Sequence, residues 1–433
     1  MGDRVKIDTG STAWMLASTA LVLLMTPGLA FFYGGMTRVK SVLNMMMMSW
    51  AAIITVTLAW VLWGDSLAFA PGNGFVGGLK YLAENGLVND ASRAHGIPDL
   101  VFSAFQLTFA VITVALISGA IADRAKFGPW AVFTVVWATL VYFPVAHWVW
   151  GGGWLSSLGI EDFAGGTVVH VNAGAAGLAL ALVLGKRRGF GKDPMRPHNL
   201  TLVLLGAGLL WFGWFGFNAG SELGADGTAA LAFMNTQVAT AAAAGGWLLV
   251  ERFRDGKPTT LGVASGAVAG LVAITPACAY IATWEAIPLG LAAGGVCACA
   301  TGLKHKLGFD DSLDVVGVHL VGGALGAVSL GFLAVYPILD GQHKGLFFGG
   351  GFSQLGVQVL GPVAVGLYSF AIAWIIGKVI DKTMGFRIAE EDEITGIDIT
   401  EHAETAYDLT GHNPSAERIA AAAPVAEAKI RSE

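Results

Sequence analysis

Charge is what this chain has least of. Only 13% of its 433 residues are Asp, Glu, Lys or Arg, where a soluble chain carries about a quarter. A water-exposed globular surface over most of its length is therefore excluded. Cysteine is scarce too. Cys278, Cys297 and Cys299 all fall in apolar runs, without zinc or disulfide spacing, and read as small packing residues. Phosphate loops are missing, because Gly189-Phe-Gly191 and Gly349-Gly-Gly351 lack the Lys-Ser/Thr pair and the strand context. No Ser-His-Asp ordering supplies a nucleophile, so no enzyme is expected, and neither a cofactor nor a nucleic-acid partner. No third or fourth ligand flanks the histidines singled out below, so no metal site is expected either.

What the chain has instead is apolar: 55% hydrophobic residues, 60 Gly and 14 Trp, with a mean hydropathy of +0.64. This is the profile of a helical protein that crosses a membrane many times. Apolar runs of about 17–25 residues predict eleven spans, near 12–34, 43–69, 99–122, 128–148, 164–185, 200–219, 228–251, 260–281, 285–304, 313–336 and 353–380. The first run suits a spanning helix better than a cleavable signal. Met45–Met48 reads as lipid or core filler rather than a metal cluster.

Lys and Arg set the orientation. With the N-terminus outside, the inner loops and the start of the tail hold 17 of them and the outer loops 5. Positive charge marks the cytoplasmic side. The expected layout is a short extracellular N-terminus (1–11), an eleven-helix transmembrane domain (12–380) and a cytoplasmic tail (381–433). The tail is acidic over 387–408, and 385–408 is read as regulatory. It should dock on basic loops such as 186–196 with help from Ile394, Ile397 and Ile399. From 414 onward the Ala/Glu composition predicts disorder.

The informative stretch is Asp162-Phe-Ala-Gly-Gly-Thr-Val-Val-His170-Val-Asn-Ala-Gly174-Ala-Ala-Gly177. It begins with a carboxylate and puts a histidine inside an apolar helix, where lipid cannot solvate it. The idea recurs at Asp314-Val-Val-Gly-Val-His319-Leu-Val-Gly-Gly323-Ala-Leu-Gly326. Both read His-x-x-x-Gly-x-x-Gly, and such small residues permit close helix packing. These are spans five and ten, and an odd offset of five means that they run in opposite directions. Spans one and six also correspond, Gly28-Leu-Ala-Phe-Phe-Tyr-Gly-Gly-Met36 against Gly213-Trp-Phe-Gly-Phe-Asn-Ala-Gly-Ser221. Together they predict an all-α fold with an inverted five-plus-five repeat and a site near the midplane. Each histidine could simply bond a backbone carbonyl. The alternative is a ring–ring hydrogen bond, one imidazole donating and one accepting.

Aromatics gather nearby, in Phe105-Gln106-Leu-Thr-Phe109, Trp148-Val-Trp150 and Trp214-Phe-Gly-Phe217. They suit an interfacial belt, or a shallow cup which, with the Ser221 hydroxyl, attracts a small cation. Asp162 and Asp314 are read as helix N-terminal carboxylates, with direct substrate contact as the alternative.

These residues resemble the ammonium transporter (Amt/Mep/Rh) family, and its Amt branch in particular. The resemblance rests on Phe105-Gln106-x-x-Phe109, Ala146-His-Trp-Val-Trp150-Gly-Gly-Gly, Asp162 through Asn172, Lys186-Arg-x-Gly-Phe-Gly-Lys192, Pro197-His-Asn199, Gly213 through Ser221, Thr275-Pro-Ala-Cys278 and Asp314 through His319. It covers about 10–408, departing only at the ends. It implies a homotrimer with one pore per subunit in the cell membrane. It further implies recruitment of ammonium, or its analogue methylammonium, at Phe109, Trp150 and Ser221, a phenyl gate of Phe109 and Phe217, and pore histidines His170 and His319. Asp162 would be the family's aspartate, while Asp314, Thr275 and Gln106 are structural or substrate-related. A PII-type signalling protein would act at the cytoplasmic face. Transport is the expected function. An ammonium sensor on the same fold is the alternative, which the short tail, without a domain-sized apolar core, argues against.

Overall fold

The computed structural model describes residues 6–407 apart from 89–92, 95 and 336–343. The expectations for residues 1–5 and for the segment beyond 414 lie outside the described residues. In lipid every backbone N–H and C=O must be met within the chain, which leaves helices as the economical solution for apolar runs. The described residues form helices, with isolated bridges only at Gly72–Gly77 and Ala125–Arg387. The main helices are α1 (Thr9–Met36), α2 (Val39–Phe69), α3 (Asp99–Ile121), α4 (Phe127–Ser157), α5 (Gly166–Leu184) and α6 (Leu200–Gly220). They continue with α7 (Gly227–Arg254), α8 (Thr260–Ile274), α9 (Ala286–Leu307), α10 (Val316–Leu333) and α11 (Phe352–Met384). Nine of these are long and apolar enough to cross a membrane. Of the other two, α7 carries a polar row of Asn235, Thr236 and Thr240, and α8 is short at 15 residues. The order matches the eleven expected spans.

Helix starts follow capping chemistry, in which a side-chain oxygen meets an N–H that the first turn leaves unpaired. Asp8 accepts from Ser11 N, Asn199 from Leu202 N, Asp226 from Thr228 N and Ala229 N, and Thr259 from Gly262 N.

The two halves meet through glycine. Helices α1 and α6 run antiparallel, and Gly216 and Gly220 face Leu21 and Ser18 so closely that an added Cβ would stand 2.7 Å from each of their Cβ atoms. Helices α5 and α10 show the same device. A Cβ on Gly174 would fall 2.5 Å from Leu320 N, and one on Gly323 would fall 2.7 Å from Gly166 O. Each glycine stands four residues after its histidine and receives the π-helical turn of the other helix. Those turns are Gly166–Val171 and Val316–Leu320, and each contains the histidine. Such turns widen a helix locally and are frequent at functional sites.

At the end opposite Trp150, the tail folds back as α12 (Glu390–Thr395) and α13 (Ile397–His402). Its dock is broader than the basic loop expected. Glu393 reaches Arg38 at 3.5 Å and Arg387 at 2.9 Å and accepts from Arg188 N, while Asp398 accepts from Leu43 N and Asn44 N. Tyr407 meets His198. Ile397 is buried, but Ile394 is 50% exposed, so the expected packing of Ile394 does not occur. The acidic α12 turns Glu393, the last of its four acids, and not Ile394 towards the basic helix ends.

Candidate functional site

From the Trp150 end inward the side chains form one column. Trp150 closes the regular part of α4, and its indole N–H donates to Asp162 O at 2.8 Å. The Phe109 ring on α3 meets the Trp150 ring edge-on, 6.0 Å between centroids and 88° between planes. Phe217 on α6 stacks beneath Phe109 at 4.1 Å and 25°. Below it lies His170, 6.1 Å from Phe217. The His170 and His319 rings are 5.3 Å apart at 26°, with their Nδ1 atoms at 3.3 Å. Both phenyl rings and both imidazoles are buried. The lumen beside the histidines offers about 10 Å³, walled by Leu29, Phe32, Trp214 and Phe217 among others. That is about one water-sized molecule.

Two nitrogens at 3.3 Å make a weak hydrogen bond only if one carries the proton and the other does not. The pair then cannot be doubly protonated without losing that bond. His170 Nε2 is buried without a hydrogen-bond partner, so it remains free for a small guest. The expected ring–ring contact is present.

Ser221 ends α6 and is partly buried, and its hydroxyl donates to Phe217 O at 2.8 Å. Next to it, burial and then the charge of Asp226 push the Glu222 carboxyl up to about 7. Asp162 accepts from Gly165 N, Gly166 N, Thr167 N and Val168 N, so it caps the π turn that carries His170. Gly165 makes the turn possible, with φ at +110°.

Asp314 does not do this for His319. Its backbone sits at φ +62°, and its carboxylate pairs with Lys304 at 2.6 Å. The cap is Asp311, which accepts from Val315 N and Val316 N. The reason is register: Asp311 precedes His319 by eight residues, as Asp162 precedes His170, whereas Asp314 is already one turn too late. That spacing was present in the sequence and would have found it. Thr275 is buried behind the pore, where it accepts from the Trp214 indole. Gln106 is partly buried on α3, and its side chain makes no hydrogen bond among the described residues. Trp214, stacked on His170 at 5.4 Å and 22°, is a site residue that sequence reasoning grouped with the aromatics but did not assign.

Against known proteins, residues 13–407 match the model of the Ammonium Transporter Family. The chain belongs to the ammonium transporter family. An ammonium transporter of Mycobacterium tuberculosis is 56% identical over 93% of this chain and 91% of that protein. Among solved structures, Mep2 of Candida albicans superposes with a TM-score of 0.84 at 36% identity, covering 89% of this chain and 88% of that one. A structure titled Sensor Amt Protein gives a TM-score of 0.84 at 28% identity over 91% and 98% of the two chains. Family and helices together make this a multi-pass membrane protein whose family transports rather than catalyses a reaction.

Proposed function

We propose that the column works as a deprotonating pore. Ammonium is held at Phe109, Trp150 and Ser221, gives up its proton above Phe217, and passes as ammonia along His170 and His319. One observation carries this reading: two buried histidines on repeat-related helices sit with Nδ1 atoms 3.3 Å apart in an otherwise apolar lumen. Ammonium and potassium are close in size, so fit alone separates them poorly. Only ammonium can shed a proton, and a bare cation is costly to bring into such a lumen. A neutral histidine pair offers ammonia polar partners and offers potassium too few ligands to replace its water. The proton passes to water on the Trp150 side, and transport is neutral if it stays there and electrogenic if it crosses separately by a water and histidine route.

The same reading puts the Trp150 end outside and the tail in the cytoplasm of a cell-membrane protein. The charge count supports it, as do Arg38, Arg124, Arg187 and Arg387 gathered at the tail end. A homotrimer and a PII-type partner at the tail face are part of the proposal. Exposed apolar side chains such as Phe233, Met234, Ile287 and Leu291 on α7 and α9 leave room for lipid or for other copies.

The test is uptake of labelled methylammonium by vesicles holding the purified protein alone, with potassium flux as control. Uptake without potassium flux is expected. Absence of uptake, with binding retained, would favour a sensor, a reading that the likeness to the Sensor Amt Protein keeps in view.

A further inference from the structure

The face of His170 is covered by an indole that is itself tied down from behind. Trp214 is 2% exposed, and its Nε1–H would be costly to leave unmet in an apolar wall. It donates to Thr275 Oγ1 on the C-terminal edge of α8 at 2.9 Å. The Thr275 hydroxyl has one proton, shared between Leu271 O at 2.7 Å and Asn218 Oδ1 at 3.3 Å. Asn218 in turn donates to Thr236 Oγ1 on α7 at 2.8 Å, and Thr236 donates to Ala232 O at 2.7 Å. Trp214 and Asn218 are four residues apart on α6, so Thr275 clips one turn of the pore helix from outside the lumen. Thr275, Asn218 and Thr236 are all fully buried.

The clip has a direction. An indole can slide over an imidazole, because stacking alone fixes the ring plane loosely. A donor chain that ends on two neighbouring helices fixes the indole in its plane as well. The plane and edge of Trp214 then set where the His170 ring can lie and hence where its unpartnered Nε2 points. His319 has no such device. In the repeat, Leu29 stands where Trp214 stands and Tyr33 where Asn218 stands, and the Tyr33 hydroxyl donates to Leu116 O instead.

We propose that Thr275 is a positioning residue of the pore: through the Trp214 indole N–H it holds the ring that orients His170. This rests on the reading of His170 as a pore residue. Removing the hydroxyl should loosen the His170–His319 geometry without touching the lumen. The effect should therefore vanish when residue 214 has no N–H to give.

The experiment is methylammonium uptake and ammonium- and potassium-driven currents in vesicles holding the purified full chain as wild type, Thr275→Val, Thr275→Ser, Trp214→Phe and the double variant Trp214→Phe/Thr275→Val. Thr275→Val is expected to lose about tenfold in ammonium transport, the effect of one buried hydrogen bond, with a fall in the ammonium-to-potassium ratio. Thr275→Ser should stay near wild type. The double variant should match Trp214→Phe alone. An equal loss on adding Thr275→Val to either background would overturn the proposal, as would wild-type rate and ratio in Thr275→Val. If Thr275→Val does not assemble, Thr275→Cys takes its place, expected between Ser and Val and again silent beside Trp214→Phe. The pore reading fails on a different result, wild-type transport by His170→Ala, which leaves the two outcomes distinguishable.

Discussion

The two repeat halves use one backbone plan and line it differently. In each, a carboxylate caps a π turn, the turn carries a histidine, and a glycine four residues later receives the other turn. Around His170 the matching positions of the crossing helix are Trp214, Phe217, Asn218 and Ser221. Around His319 they are Leu29, Phe32, Tyr33 and Met36. Asp162 meets four N–H groups, and Asp311 meets two. Shared backbone brings the histidines together at the middle. Divergent side chains make the two ends different, and in the proposed pore that difference is what gives a symmetric scaffold a direction.

The caps give the sharpest contrast. Asp162→Ala strands four buried N–H groups at ~1–3 kcal/mol each, which is comparable to the whole stability of a typical domain. Little folded protein should be recovered. Asp311→Ala strands two, so it should fold with a lowered melting temperature. Equal recovery of the two variants would break the comparison.

The phenyl positions come next. Phe217→Leu opens the stack over His170 and should abolish conduction or lower the ammonium-to-potassium current ratio roughly tenfold. Phe32→Leu, its repeat mate, should change that ratio little. Similar ratios for both would mean that Phe217 is only packing.

Within the tail, Glu393→Ala takes from Arg387 the carboxylate it pairs with and from Arg38 one of two, leaving Arg38 its pair with Asp123. Both guanidinium groups are partly exposed, so the loss should fall below the roughly 3–5 kcal/mol of a fully buried pair. Ile394→Ala, at an exposed position, should fall within about 0.5 kcal/mol of wild type. Limited proteolysis of the tail reads the difference. Deleting 385–433 should alter the transport rate, and unchanged transport would count against a regulatory tail.

The smallest effect is in the Trp150-side loop. Glu84 accepts from Ser103 Oγ at 2.8 Å, and burial, then the nearby Asp65, pushes its carboxyl up to about 7. The folded chain therefore holds this proton more tightly than the unfolded one, and the stability it contributes is lost as pH rises from about 4.5 to about 7. Glu84→Gln should melt like wild type near pH 4.5 and slightly higher at pH 8. A constant offset across that range would rule out Glu84 as the source.

Much of this was legible before any coordinates. Apolar runs marked eleven helices because lipid admits little else. The paired His-x-x-x-Gly-x-x-Gly strings marked the crossing because only glycine lets a second backbone come so close. What the sequence hid was register and reach. Asp314 looked like the mate of Asp162 because it stands beside the apolar run. The spacing shared with Asp162, eight residues before the histidine, points to Asp311 instead, and the π turn shows why that distance is the one that caps. Trp214 looked like one aromatic among several, since its partner Thr275 lies 61 residues away. Tail docking was foreseen from charge, but charge cannot say which isoleucine turns inward.

The central claim is that a neutral, proton-sharing histidine pair forces ammonium to give up its proton. Paired currents in ammonium and in potassium, for wild type, His170→Ala and His170→Asp, test it most directly. His170→Ala should cut ammonium transport severely, because His319 loses its partner. His170→Asp should pass potassium as well as ammonium, because a carboxylate stabilises a desolvated cation and removes the reason to deprotonate. Wild-type ammonium transport with selectivity intact in His170→Ala would contradict the account.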